Sequence, residues 1–181
     1  FVQDYEPYFY ARGSEAVQAE ATYSKDLACI CASPWLAETM RHQYGAWARH
    51  LWLAYDTNYY LCDPNSFEQR LNDLQRDDTI FHIAVYARMH TARRCVELAI
   101  AGLNELYQRR TNIIIHLFGD KDVNKAIRFP AINHGILDHE QLASLYQKCD
   151  LGLSLSATNY SLLPQEMMAS GLPVVDLAVE S

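Results

Sequence analysis

The stretch Ala87-Arg88-Met89-His90-Thr91-Ala92-Arg93-Arg94 carries the densest positive charge in the chain. Arg88 leaves the end of an apolar run, and Arg93 opens a helical pattern five positions later. Each guanidinium can make paired charge-assisted hydrogen bonds, which suits a diphosphate. Cations at a helix start are disfavoured by the macrodipole, so Arg88 and Arg93 ask for an anion there. The alternative is a pair of solvated arginines. A second loop, Ser156-Ala157-Thr158-Asn159-Tyr160-Ser161-Leu162-Leu163-Pro164-Gln165-Glu166, runs into a helix at Pro164. Amides around Ser161, Leu162 and Leu163, together with Thr158 and Asn159, form a candidate anion and sugar site. Glu166 in the first helical turn can accept two vicinal hydroxyls, such as those of a ribose, or it can merely complement the helix dipole. A third loop, His134-Gly135-Ile136-Leu137, offers backbone groups at Gly135 and Ile136 that can read a nucleobase edge. Gly119 reads as a turn.

The elements that must position these loops alternate in type. Phe1 to Pro7 reads as a short strand entering a loop, 14–24 as a helix with Ala16, Val17 and Ala21 on one face, and 27–32 as a buried strand. Ser33 with Pro34 matches an N-cap followed by proline at the first helical position, for a helix ending near Gly45. A strand is expected over 49–53. Residues 56–78 read as a polar connector. Further strands are expected at 80–86, 112–118, 132–136, 151–155 and 174–177. Helices are expected at 93–107, with Val96, Leu98, Ala99, Leu103 and Leu106 on its apolar side, at 138–149 capped by Asp138, and at 164–170 ended by Gly171. This alternation predicts an α/β fold with a parallel, doubly wound sheet, whose ligands bind beyond the carboxyl ends of the strands. The expected division is 1–77, the end of one Rossmann-like domain plus linker, and 78–181, a nucleotide-binding Rossmann-like domain.

Composition narrows the partners. The net charge is -7 over 181 residues, which disfavours a nucleic-acid binder. The five cysteines, Cys29, Cys31, Cys62, Cys95 and Cys149, match neither a zinc spacing nor a disulfide framework, and point to a reducing compartment. No apolar run is long enough to span a membrane and no signal peptide is evident, so a cytoplasmic location is expected. The start on a strand-like run at Phe1 suggests an excerpt of a longer protein. No Gly-x-Gly-x-x-Gly follows a strand, which weighs against a dinucleotide oxidoreductase.

Together the loops resemble the donor domain of retaining family-four glycosyltransferases of the two-Rossmann-domain (GT-B) type. In that family a strand is followed by Gly-Arg, with Lys five residues after the Arg; here Ala87-Arg88 is followed by Arg93-Arg94. A second family signature is Glu, seven residues, Glu, then Ala-x-Gly-x-Pro-Val-Val. Glu166-Met167-Met168-Ala169-Ser170-Gly171-Leu172-Pro173-Val174-Val175 matches its second half, while Thr158 stands where the first acid belongs. That acid is implicated around the donor sugar in the family. Phe1-Val2-Gln3-Asp4-Tyr5-Glu6-Pro7 and Thr158-Asn159 are similar to a bacterial subgroup that includes dTDP-rhamnose-dependent rhamnosyltransferases of surface polysaccharide synthesis.

The resemblance implies transfer of a hexosyl group, with rhamnosyl the subgroup's instance, from a nucleoside-diphosphate sugar to an oligosaccharide or lipid-linked glycan, with retention of configuration. It implies no cofactor and no metal, the leaving charge being held by Arg88, Arg93 and backbone amides. It places the protein in the cytoplasm, at the inner membrane face where its acceptor is lipid-linked. Gln3 stands where many members carry a histidine, and Asp4 or Glu6 is the candidate to orient the acceptor hydroxyl, against a purely structural hydrogen bond. Tyr5, Tyr8, Phe9 and Tyr10 either stack on a sugar or pack in the interior. The rival reading is a nucleotide-sugar-binding subunit without activity, or an inactive fragment.

Overall fold

The computed structural model describes residues 1–24, 26–75, 80–123 and 127–179. The chain forms two compact units. The first comprises Phe1–Ala54, Ala157–Tyr160 and the residues from Ala178 on; the second comprises Tyr55–Ser156 and Ser161–Leu177. The connector expected over 56–78 lies in the second unit, where it contributes Tyr60 and a helix. The expected boundary between 77 and 78 lies outside the described residues.

In the first unit a short 3₁₀ helix (Glu6–Phe9) precedes α1 (Ser14–Ala21). The apolar face expected of α1 is not covered, for none of its residues is buried and Val17 is 62% exposed. Strands β1 (Ala28–Cys31) and β2 (Trp47–His50) pair in parallel across helix α2 (Pro34–Tyr44). β2 begins two residues before its expected start. The expected first strand is reduced to a single parallel bridge, Val2 to Cys31. The Ser33 hydroxyl accepts from Leu36 N at 3.2 Å, closing the first turn of α2 as the Ser-Pro pair predicts. Leu36, Ala37 and Met40 of α2 pack on Cys29, Cys31 and Ala48. Tyr5 joins this core, stacking on Tyr23, with its hydroxyl 2.5 Å from that of Tyr44. Tyr8 and Tyr10 stay exposed, so the aromatic cluster is part core and part surface.

The second unit carries α3 (Pro64–Asp73), β3 (Phe81–Tyr86), α4 (Val96–Arg109), β4 (Ile113–Phe118), β5 (Ala131–Asn133), α5 (His139–Lys148), β6 (Leu151–Leu153), α6 (Leu163–Ala169) and β7 (Val174–Val175). Its five strands are all parallel, in the order β5-β4-β3-β6-β7. Successive connections run outward in one direction from β3 and then in the other from β6. The switch point therefore falls between β3 and β6, the crevice where doubly wound sheets bind ligands.

Residue alternation builds a core on each face. Ile83 and Val85 of β3, with Ile113, Ile115 and Leu117 of β4, pack under Val96, Ala99, Ile100 and Leu103 of α4. The buried stripe of α4 uses Ile100, whereas Leu98 and Leu106, expected inside, are 55% and 36% exposed. On the other face Ala84 and Phe118 meet Tyr60, Tyr146 and Met167. A Cβ on Gly152 of β6 would stand 2.5 Å from the Met167 sulfur, so a larger residue there would displace that buried side chain. α5 begins with a complete capping box between Asp138 and Gln141.

Two polar devices tie the second face together. Arg70 of α3 donates from Nη1 to the carbonyls of Tyr146 (3.4 Å), Gln147 (3.3 Å) and Cys149 (2.6 Å), and from Nη2 to that of Gly171 (2.6 Å). A cation at the carboxyl end of α5 also complements its dipole. Across the sheet, three imidazoles form a row, His82 Nδ1 to His116 Nε2 at 2.9 Å and His116 Nδ1 to His134 Nε2 at 2.9 Å. A neutral imidazole offers one N–H and one bare nitrogen, so neutral His116 donates to one neighbour and accepts from the other. Burial, then the neighbouring His82 and His134, pull His116 down to about 4.

Arg70→Met keeps the aliphatic stem but leaves several carbonyls without a donor, so it should lower unfolding free energy by at least about 2 kcal/mol in urea titrations. His116 binds its proton more readily unfolded than folded, so its contribution is intact above the ordinary value of 6.5 and is lost as pH falls toward about 4. The urea midpoint should fall across that window, and His116→Gln should flatten the fall.

Candidate functional site

At the carboxyl ends of β3, β4 and β5, and at the start of α6, the second unit opens into a cavity of about 500 Å³. That volume lies within the range of small-ligand sites. Tyr86, Arg88, His90 and Arg94 form the wall that follows β3, Phe118 and Gly119 the wall after β4, and Ile136 and Leu137 the wall after β5. Ser161, Leu162, Leu163 and Glu166 close it from α6. Gly119 has φ +100°, and a Cβ there would sit 2.5 Å from the Tyr86 ring, so the floor of the cavity requires glycine. Its N–H donates to the Gly135 carbonyl at 2.7 Å, which pins the 134–137 loop against the turn after β4.

Of the expected residues, the structure brings Arg88, Ile136, Ser161, Leu162, Leu163 and Glu166 together around this one cavity. Gly135 supports the cavity from behind through Gly119. Arg93 sits in the short 3₁₀ helix Ala92–Arg94 but does not line the cavity; Arg94, the next residue, does, with its guanidinium 5.8 Å from the Tyr86 ring centroid. The 3₁₀ helix passes into α4 through Cys95, its N-cap, at φ +46°. Among the described residues it is the one non-glycine in the left-handed region, a costly conformation for a side-chain-bearing residue. Sequence spacing alone cannot tell which of two adjacent arginines such a turn brings inward.

The arginine loop is braced by groups that the sequence did not single out. Arg88 Nε donates to His90 Nε2 at 2.9 Å, which makes that nitrogen an acceptor and leaves the proton on Nδ1. His90 Nδ1 in turn donates to Asp120 Oδ2 at 3.1 Å. Asp120 is partly exposed, and the hydrogen bond from His90, followed by the Asp122 amide, holds its carboxyl below the usual range. Asp120-Lys121-Asp122 has the Asp-x-Asp form, which the metal-free expectation passed over. Among the described residues no group of three or more His, Cys, Asp or Glu side chains is placed to hold a metal ion.

Glu166 lies in the first turn of α6, a helix of seven residues whose N-cap, Leu162, offers no side-chain acceptor. It is 9% exposed, and burial raises its carboxyl above the ordinary value, while His139 and a hydrogen bond with Tyr60 pull in the opposite direction. Tyr60 is fully buried and comes from the connector. Neither Tyr60 nor His139 stands near Glu166 in sequence, and no local pattern marks them.

In the first unit the structure brings Asp4, Thr158 and Asn159 together. Asp4 Oδ2 accepts from the Thr158 hydroxyl at 2.9 Å, and Oδ1 accepts from the Asn159 amide at 3.1 Å and from Tyr5 N at 2.8 Å. The Asn159 side chain donates to the Gln3 carbonyl at 2.9 Å. Both oxygens of Asp4 thereby hold the segment 157–160. Among the described residues no helix is long and apolar enough to cross a membrane.

Residues 81–180 match the family described as WsaF, C-terminal domain. The chain is 31% identical over 182 residues to the O-antigen biosynthesis protein RfbC of Myxococcus xanthus, covering 97% of this chain and 13% of that protein's length. In three dimensions it is similar to Staphylococcus aureus TarM in complex with fondaparinux, α-GlcNAc-glycerol and UDP (TM-score 0.69, 12% identity, 96% of this chain and 36% of that one). It is also similar to Anabaena HepE in complex with UDP-glucose (TM-score 0.64, 16% identity, 96% and 52%). A third is WaaG, a glycosyltransferase involved in lipopolysaccharide biosynthesis (TM-score 0.65, 17% identity, 92% and 50%). The fold is therefore of the GT-B type, and with more than half of its residues inside the family match, the chain belongs to the WsaF C-terminal domain family.

Proposed function

We propose that the second unit binds a nucleoside-diphosphate sugar and that the protein transfers its hexosyl group to a glycan in the synthesis of a cell-surface polysaccharide. The observation that carries this reading is the cavity itself, which joins two arginines, the first turn of α6 and one buried carboxylate at the carboxyl ends of a parallel sheet. Relatives and structural neighbours named for O-antigen and lipopolysaccharide synthesis, or seen with UDP and UDP-glucose, support the same donor chemistry.

In this reading the nucleobase rests by Ile136 and Leu137, and Glu166 accepts the ribose hydroxyls. The diphosphate lies between Arg88, Arg94 and the amides of 161–163, with Arg93 adding charge to the loop. Breaking the bond from the anomeric carbon to the diphosphate leaves negative charge on the phosphate oxygens. Preformed guanidinium and amide donors stabilise that charge with little reorganisation. An acceptor hydroxyl then bonds to the anomeric carbon and passes its proton to the departing diphosphate oxygen. Retention of configuration, a rhamnosyl group carried on dTDP, independence from metal and work at the cytoplasmic face of a membrane are the finer parts of this proposal. Thr158 with Asn159 is the feature shared with the rhamnosyl-transferring subgroup. Asp4 is the carboxylate proposed nearest the acceptor chemistry, and its hydrogen bonds to Thr158 and Asn159 give it a fixed orientation.

Arg88→Ala and Arg94→Ala should each weaken binding of a nucleoside diphosphate by about 1.5–3 kcal/mol in calorimetry, the range for a hydrogen bond to a charged group. Unchanged affinity in both would remove the diphosphate from this cavity. Glu166→Gln should weaken binding of UDP while sparing inorganic pyrophosphate. Because burial disfavours ionised Glu166, the same substitution should raise the melting temperature of the ligand-free protein above the pH at which the native carboxyl ionises, and less below it.

A further inference from the structure

Arg88 reaches the cavity from a turn that folds back on itself. Its carbonyl accepts from Thr91 N at 3.2 Å, which closes residues 88–91 and leaves His90 beside the Arg88 side chain. Ala87 N donates to the Phe118 carbonyl at 2.8 Å, so the turns after β3 and β4 leave the sheet side by side. One unbroken line of hydrogen bonds then joins them. Arg88 Nε donates to His90 Nε2, His90 Nδ1 donates to Asp120 Oδ2, and Asp120 Oδ1 accepts from the Asp122 amide at 3.3 Å. The last of these bonds anchors the line in the backbone. The anchor is itself tied to β5, because the Lys121 carbonyl accepts from the Asn133 side chain at 2.8 Å. Arg88 and His90 are both exposed. An exposed arginine that nothing holds spreads over many rotamers, and a ligand must gather them into one at a cost in entropy.

We propose that His90 and Asp120 are positioning residues for Arg88, a backbone-anchored line that takes up its Nε and presents its two terminal nitrogens end-on to a diphosphate. This rests on the reading of the cavity as a diphosphate site. The ends of the line fix the direction of every bond in it. A guanidinium only donates and a carboxylate only accepts, so the imidazole between them is bare at Nε2 and carries its proton on Nδ1. With Nε committed, the N–H bonds of Nη1 and Nη2 remain, a fork that matches two phosphate oxygens. The neutral ring also keeps Asp120 from pairing directly with Arg88, so the carboxylate lends its fixed geometry while the guanidinium charge stays available to the ligand. Charge alone argues against an acid at this place, because Asp120 directly follows the glycine of the cavity floor and a carboxylate there repels a phosphate. The electrostatic and the positional effects of Asp120 therefore have opposite signs, and experiment can separate them.

The test compares calorimetric affinities of the protein for UDP and for inorganic pyrophosphate at one pH and low salt, with melting temperatures to show that each variant is folded. His90→Leu and Asp120→Ala should each weaken both ligands about fivefold, the cost of ordering one long side chain on binding. Asp120→Asn keeps an acceptor oxygen and removes the repelling charge, so it should bind both ligands at least as tightly as the wild type. His90→Gln should restore most of the affinity lost in His90→Leu, because its amide holds an acceptor and a donor about as far apart as the two ring nitrogens. In an Arg88→Ala background, His90→Leu should cost nothing further. If Asp120→Ala binds more tightly than the wild type, the acid acts by charge alone and the inference is overturned. The same follows if His90→Leu keeps the wild-type affinities, if it costs as much without Arg88 as with it, or if the Asn and Gln variants are as weak as the truncations. In each of these cases an Arg88→Ala protein that still loses both ligands leaves the diphosphate reading standing. If Arg88→Ala itself keeps both affinities, the inference falls and the diphosphate reading rests on Arg94; if Arg94→Ala keeps them too, that reading falls as well.

Discussion

The second unit depends on the parallel pairing of β3 with two strands at once. Phe81–Tyr86 aligns residue for residue with Ile113–Phe118 on one side, and Ile83–Val85 aligns with Leu151–Leu153 on the other. Parallel strands must be joined by crossovers, and a right-handed crossover sends α4 and α5 to opposite faces when the direction of winding reverses at β3. Two consequences follow from that single constraint. Every β-to-α turn is delivered to the same edge of the sheet, which gathers loops 87–94, 119–120, 134–137 and 161–166 although they are scattered over some eighty positions of sequence. The two connections that leave β3 and β6 also diverge, so no element fills the edge above them. The cavity is a product of topology before any side chain is chosen.

Side chains then decide what the cavity prefers. The protein carries a net charge of -7, yet the wall after β3 presents Arg88 and Arg94. A local reversal of sign against an acidic background favours one compact anion over an extended polyanion such as nucleic acid. Among the residues lining it, Glu166 is buried and burial raises its carboxyl above the ordinary value, a perturbation typical of functional sites.

What was legible in the sequence was local. The cap at Asp138, the Ser33-Pro34 start of α2 and the apolar strands expected at 80–86 and 112–118 are signals that act within a few residues, and the structure follows them to within a residue. Arg88, Ile136, Leu163 and Glu166 were legible for a related reason, since strand-end loops of a parallel sheet share one edge by necessity. Where tertiary context decides, the sequence was silent. The choice of Arg94 over Arg93 for the cavity wall is a matter of one residue's phase in the short 3₁₀ helix Ala92–Arg94, which no propensity predicts. Leu98 and Leu106 look like core residues, but the stripe of α4 is rotated so that Ile100 fills the interior. Tyr60 and α3 lie in a segment whose polar composition reads as linker, because the contacts that bury them come from helices about 80 to 110 positions later.

The departure at Thr158 acquires a physical reason from Asp4. The family pattern that this chain resembles places a carboxylate at 158, and this chain places a hydroxyl there. In the first unit that hydroxyl donates to Asp4 at 2.9 Å, beside the Asn159 amide. A glutamate at 158 would set a second anion against a carboxylate only 9% exposed, and two like charges in contact at a buried place cannot both stay ionised without a large penalty. A threonine is what an acid at residue 4 requires of its partner, a short donor of fixed length with no charge of its own. The negative charge has not been lost from this place in the fold. It is supplied from the other end of the chain, and Thr158 and Asn159 are the groups that hold it still.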